Sequence, residues 1–567
     1  MIRAATRATL ALLILTGTAG LAAEQPVLPV LTGGPGELTA AVVESPAPCA
    51  TGLAWDGSRL WIVDRREDTI YAFDPASGSI QAELPSPGFK PTGLAWDGEC
   101  LWNADREEGK LFRIEPDSGL VRRTVDAPWP TPTGLAWADG RLWVADERKQ
   151  LICLVDPADG TTIRSFPAPA ESPQGLAFDG RVLWCSDRKR DAVYGMSPAG
   201  GEVLITLHSP GPYPTGLAVD GRGDLWAADY QNDTCSRLAT GGRGPAILTD
   251  DQRQARITVT TDILNYGPGL AESLELYLAV PTALPGQQMI DGPRFTPAPK
   301  RFAEDRWGQR VAVFEAAGMP AGDSLRVSME VDARISRTRH FFRPHEVGPL
   351  SEVPAAIGEA YLADEVKFDL QHPQIRALAA ELTAEADSPY WIARNIFHYL
   401  IDNLEYELAG GWNTAPRVLE RGNGSCSEYT FCFIALCRAA GLPARYAGSV
   451  VVRGDDASYD EVFHRWAEVY FPRIGWVPVD PSGGDDPLPA DQAAFFGQLS
   501  NRFLITTHGG GGSEFLGWDY NGFQHWTTKG RARVRSETVA DWEPLGSAAL
   551  PAPDGLTATG GETCSRP

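Results

Sequence analysis

Gly52-Leu53-Ala54-Trp55, then Leu60-Trp61-Ile62-Val63-Asp64, then Ile70-Tyr71-Ala72-Phe73, set a pattern that recurs through the first half of the chain. Gly-Leu pairs stand at Gly52, Gly93, Gly134, Gly175 and Gly216, a period of 41 residues without drift. The same register brings Leu-Trp pairs ending at Trp61, Trp102, Trp143, Trp184 and Trp226, then Asp64, Asp105, Asp146, Asp187 and Asp229, with one inserted residue in the fifth copy. Each unit reads as four short strands, the fourth being a stretch such as Ile80 to Leu84. The 59 glycines and 45 prolines carry no collagen-like period and point to tight turns between those strands. One such unit cannot bury both of its faces, so the copies must pack on one another.

Four strands per ~40 residues is the unit of a β-propeller blade. A proline precedes each repeat glycine by six residues, at Pro46, Pro87, Pro128, Pro169 and Pro210, so residues 37–45 match the outermost strand of a blade. The fifth repeat lacks that strand. The N-terminal segment is therefore expected to complete the last blade, giving five blades over residues 37–248 and hiding a sheet edge. These repeats resemble propellers of the NHL and streptogramin-lyase type. The repeated aspartates and tryptophans read as turn caps and inter-blade packing, and a protein or glycan ligand on one propeller face is the functional reading beside it. Cys153 and Cys235 occupy equivalent positions two blades apart, too far for a disulfide.

At 567 residues the chain is multidomain, and 43% hydrophobic with 22% charged residues marks it as globular. A formal charge of −23 excludes nucleic acid as a partner. Arg3 and Arg7, an apolar run from Leu10 to Leu15, and small residues through Ala22 and Ala23 have the order of a signal peptide over residues 1–23, which implies a secreted or periplasmic protein with no transmembrane segment after cleavage. The nine cysteines are an odd number, so at least one is free or intermolecular. Residues 546–567 read as a flexible tail.

Beyond residue 250 the period gives way to alternation. Leu274, Leu276, Leu278 and Val280 alternate with more polar neighbours, as do Leu325, Val327, Met329 and Val331, which predicts a small β-sandwich over residues 254–338. It carries no constellation of reactive side chains, so its expected role is spacer or interaction module.

The chemistry is expected in the last third. Residues 389–403 read as a helix, and a second helix begins after Gly422-Asn423-Gly424-Ser425, with Cys426 in its first turn and Gly441 and Pro443 at its end. Unpaired amides and the helix dipole favour a thiolate there. His464 opens the strand His464-Arg465-Trp466-Ala467-Glu468-Val469-Tyr470, and Trp476-Val477-Pro478-Val479-Asp480 returns antiparallel, bringing Asp480 to the His464 end. Nucleophile, base and orienting carboxylate thus converge. Cys432 and Cys437, in the helix interior, read as structural thiols.

Gly-Asn-Gly-Ser-Cys-Ser-Glu-Tyr around Cys426, Ala439-Ala440-Gly441-Leu442-Pro443-Ala444-Arg445, the strand from His464, and Gly475-Trp476-Val477-Pro478-Val479-Asp480-Pro481 resemble, in order, the blocks of the transglutaminase-like superfamily, over residues 356–545. The resemblance implies an α+β, papain-like domain in which Cys426 attacks an amide carbonyl, His464 shuttles the proton, Asp480 orients His464, and the acyl group passes to an amine or to water. No metal or cofactor is implied, the calcium loop of animal relatives being absent. The family's side-chain oxyanion donor has no clear counterpart; Trp412 and Asn413 are the candidates, with loop packing as their other role. Two functions remain in view: a secreted cysteine acyltransferase or peptidase acting on a protein or peptide, and a non-catalytic envelope scaffold.

Overall fold

The computed structural model describes residues 26–34, 36–408, 412–454 and 457–546. The expected signal peptide lies outside the described residues, as does the expected tail apart from Gly546. The chain is mostly β, its longer helices gathered between Ala355 and Ala439. No helix among the described residues is long and apolar enough to cross a membrane.

Glycine at the repeat positions is dictated by backbone proximity. A Cβ added to Gly52 would lie 2.2 Å from the Thr92 carbonyl, one on Gly134 2.2 Å from that of Gln174, one on Gly175 2.1 Å from that of Thr215, and one on Gly216 2.5 Å from the Leu53 nitrogen. The innermost strands of five four-stranded antiparallel sheets therefore touch backbone to backbone, and the ring closes from Gly216 onto Gly52. Hydroxyls bind the same seam: Thr51 donates to the Pro91 carbonyl at 3.0 Å, Thr92 to Pro132, Thr133 to Pro173 and Thr215 to Ala50, each of the last three at 2.9 Å. Gln174 replaces threonine in the fourth sheet, and Ser186 on the adjoining strand supplies the hydroxyl to the Thr215 carbonyl at 2.7 Å. Strand Thr39–Glu44 is the outer strand of the last sheet, with Val43 opposite Cys235.

The repeated aspartates cap turns. Asp64 Oδ1 accepts from the Arg66 and Glu67 amides and Oδ2 from the Cys49 amide at 2.7 Å. A second aspartate series holds the tryptophans: the indole N–H of Trp61 donates to Asp56, and those of Trp102, Trp184 and Trp226 donate to Asp97, Asp179 and Asp220. In the third repeat the aspartate is displaced by one residue to Asp139, and Trp143 packs against Phe166 at 5.4 Å. Cys153 and Cys235 are free thiols.

Two further sheets pack face to face around Ile257, Val259, Leu274, Leu276, Val327 and Met329. The expected sandwich segment 254–338 supplies only part of them. Strand Val534–Pro544 pairs along Ala246–Asn265, and Gly522–Lys529 pairs along Leu270–Ala279, so residues read as part of the 356–545 segment complete both sheets. Ser536 and Thr538 stand at alternate positions of the former strand, which weakens its hydrophobic alternation.

A buried ion network ties the ring to these sheets. Arg339 donates to Glu37 at 2.8 and 2.5 Å and to Asp250 at 2.6 Å, and Asp250 also receives Arg337 and His208. Glu37, from the N-terminal segment, and Asp250 are both well inside. Arg339→Ala would leave two buried carboxylates short of their counter-charge, a loss of about 3–5 kcal/mol; thermal unfolding should show it as a marked drop in midpoint.

Candidate active site

Helix Cys426–Ala439 begins where the sequence reading places it. Glu428 accepts from the Ser425 amide at 3.1 Å and also from the Asn413 side chain at 2.8 Å and Arg421 at 2.9 Å. Asn413 is thus taken up in locking its loop to the start of the helix, the packing role rather than that of an oxyanion donor. Cys426, the first helical residue, is 6% exposed at the floor of a cleft of about 470 Å³. Its amide lies at the helix end where main-chain N–H groups have no intrahelical acceptor.

Strand His464–Phe471 pairs with Gly475–Val479, with Ala467 opposite Val479, so the chain leaving the second strand passes the start of the first. His464 Nε2 lies 2.7 Å from Asp480 Oδ2. The Cys426 sulfur lies near enough to the His464 imidazole for each to shift the other's ionisation, and with Nε2 engaged by Asp480, Nδ1 is the nitrogen left to serve the sulfur. The three residues singled out in the sequence are therefore brought together. Thiolate and carboxylate are both acceptors, so an imidazole bridging them satisfies both only when it carries two N–H groups. Asp480 is held in turn: its Oδ1 accepts from the Ser482 amide at 3.1 Å and hydroxyl at 2.6 Å. The imidazole stacks on Phe503 at 5.5 Å and leans on Trp466 at 5.9 Å.

Burial pushes the Cys426 thiol up, but the hydrogen bond and charge of His464 and the Arg465 amide outweigh it, and the thiol lies below its ordinary range. Burial pulls the imidazolium down; the charge and hydrogen bond of Asp480 and the Cys426 sulfur overcome this and raise His464 to about 10. Cys432 and Cys437 are fully buried and both pushed up by desolvation. Ionisation is selective for one thiol of the helix.

Sequence reasoning passed over Arg465. Its guanidinium is buried among Trp412, Phe431, Tyr446 and Tyr520, with ring centroids 4.4–5.2 Å away, and it donates to the Trp518 carbonyl. Trp412 and Tyr520 are also cleft walls, so this cation positions the lining. Residues of the packed sheets, Gln524 and Thr538, also line the cleft.

Residues 376–481 match the Transglutaminase-like superfamily. The C-terminal domain is transglutaminase-like. The matched span contains Cys426, His464 and Asp480. A protein-glutamine gamma-glutamyltransferase of Pseudomonas aeruginosa is 26% identical over 227 residues, 34% of each chain. The uncharacterized protein YebA of Bacillus subtilis is 29% identical over 129 residues, 20% of this chain and 18% of its own length. The chain thus spans about a fifth to a third of these relatives. Among solved structures, virginiamycin B lyase from Staphylococcus aureus aligns with 36% of this chain and 71% of its own at 19% identity, with a TM-score of 0.26.

The paired geometry sets a pH profile for the transglutaminase-like site. Iodoacetamide should alkylate Cys426 at pH 6 far ahead of Cys432 and Cys437, and its rate should fall less on acidification than that of an ordinary thiol, because the neighbouring imidazolium favours the thiolate. His464→Ala should slow labelling at pH 6 at least about 10-fold and return the profile to that of an ordinary thiol. Because the His464 pKa is raised on folding, its contribution to stability is complete below about 6.5 and is lost as pH rises through about 10. Cys426 behaves oppositely: its lowered pKa contributes above the unfolded thiol value and is lost as pH falls through the folded one. Peptide-resolved alkylation and pH-dependent melting measure the two.

Proposed function

We propose that the protein is an exported cysteine enzyme that catalyses acyl transfer or hydrolysis at amide bonds of a protein or peptide. The observation that carries this reading is the imidazole of His464, hydrogen-bonded to Asp480 at 2.7 Å and close enough to the Cys426 sulfur to hold its thiol below the ordinary range. Cys426 attacks the amide carbonyl, the thiolate forming the C–S bond as the carbonyl electrons move to oxygen. His464 gives its proton to the departing amine as the tetrahedral adduct collapses to a thioester. His464 then takes a proton from the incoming amine or water, and the thioester is resolved. Asp480 keeps the imidazole oriented and steadies its charge. The Cys426 amide serves as one oxyanion donor.

In this reading the ring of five sheets is a five-bladed propeller that binds a protein or glycan, while the packed sheets are a sandwich that walls the cleft. The amino-terminal pattern from Arg3 to Ala23 supports export. The name of the Pseudomonas aeruginosa relative, a protein-glutamine gamma-glutamyltransferase, favours an amide donor.

Incubating the protein with envelope peptides and a labelled primary amine, and reading both amine incorporation and cleavage by mass spectrometry, distinguishes transferase from hydrolase. Cys426→Ala should abolish both, whereas Asp480→Asn should keep the fold and lower kcat by about 10²- to 10⁴-fold. A Cys426 no more reactive than its helix neighbours, with no product from any peptide, would favour the scaffold reading.

A further inference from the structure

The cleft has an electrostatic character that the Cys–His–Asp arrangement does not require. Among the described residues its charged lining, apart from the nucleophile, consists of two carboxylates, Asp519 and Glu461, with no lysine or arginine side chain. Neither carboxylate has a salt bridge or a side-chain hydrogen bond among the described residues. Burial holds the Asp519 carboxyl up, at about 6, against the pull of Arg465. Arg465 does not neutralise it by contact, since its guanidinium is enclosed by four rings and donates to the Trp518 carbonyl.

A separate observation lies at the floor. Ser425, beside the nucleophile, is 6% exposed, lines the cleft, and its hydroxyl has no hydrogen-bond partner among the described residues. Buried hydroxyls are ordinarily partnered, and one left open within a cleft marks a place for a ligand's polar group. Gln524 and Thr538 in the cleft lining are polar but uncharged, so any charge recognition falls to the carboxylates. A cationic substrate group against Asp519 would replace the water that burial has partly removed.

Resting on the acyl-transfer reading above, we propose that Asp519, with Glu461 at the rim, is a specificity-determining residue that holds an alkylammonium or guanidinium group of the substrate, while the Ser425 hydroxyl bonds the polar backbone beside it. The attacking amine must itself be neutral, so in an acyl acceptor the held group is a second cationic centre. In an acyl donor it is a basic side chain near the reacting carbonyl.

The test uses the full chain and a pair of iodoacetamides of equal length, one ending in a primary ammonium and one in a methyl group. The ammonium reagent should alkylate Cys426 about 10-fold faster than its neutral counterpart, and Asp519→Asn should bring that ratio close to one, with Glu461→Gln lowering it less. A wild-type ratio of one, or a ratio unchanged in Asp519→Asn, overturns the proposal. Equal slowing of both reagents in that variant also does so, by assigning Asp519 a structural role through Arg465. This readout needs no turnover: a charge preference without any acyl transfer would sink the functional reading and leave the cation site standing. Two kinetic arms then assign the source, lysine against norleucine in the donor peptide with water as acceptor, and 1,5-diaminopentane against pentylamine with a neutral donor.

Discussion

One buried cation organises the region around Cys426 and His464. Arg465 follows His464 directly, its amide helps hold the Cys426 thiol below its ordinary range, and its side chain is wedged among Trp412, Phe431, Tyr446 and Tyr520. Phe431 belongs to the nucleophile helix, Tyr446 to the neighbouring strand, and Trp412 and Tyr520 to the cleft. Taking a guanidinium out of water costs several kcal/mol. A desolvated cation–π contact returns about 2 kcal/mol or somewhat more, so one ring falls short of that cost and four rings plus a carbonyl are a workable enclosure. The constraint is mutual: the rings fix the cation, and the cation fixes the wall beside the thiolate.

Features set by local chemistry were legible in the sequence. Helix Pro389–Asn403, the helix starting at Cys426, and the hairpin joining His464 to Asp480 all follow from turn residues and apolar periodicity within about 20 residues. The repeat glycines were legible as a period, and their cause is the direct approach of neighbouring inner strands. The Asp-Gly turns at Asp56, Asp97, Asp179 and Asp220 carried a signal of the same period, and Asp480-Pro481-Ser482 reads separately as a short capped turn that identifies Ser482 as the carboxylate's partner.

Features set by distant pairing were hidden. Phe503, which stacks on His464, arrives on strand Phe503–Gly509 through pairing with Ala444–Val451. Asp519 and Tyr520 stand just before a strand that belongs to the packed sheets. No local spacing relates these residues to Cys426. The same holds for the sheet boundary, because Val534–Pro544 finds its partner more than 250 residues earlier along the chain.

The placement of Asp480 shows how the units share one geometry. Its amide donates to the Phe495 carbonyl at 2.8 Å, and the segment between them contains the short helix Pro489–Ala493. That helix rests on the fourth sheet of the ring, with the Ala490 amide on the Pro169 carbonyl and Asp491 paired with Arg190. On the other side, Gly522–Lys529 and Val534–Pro544 bind the chain leaving the cleft to the packed sheets. The carboxylate that orients His464 is therefore fixed by contacts that continue into the ring, and part of the cleft wall by contacts that continue into the sheets. The geometry around His464 thus depends on hydrogen bonds drawn from each of the three units.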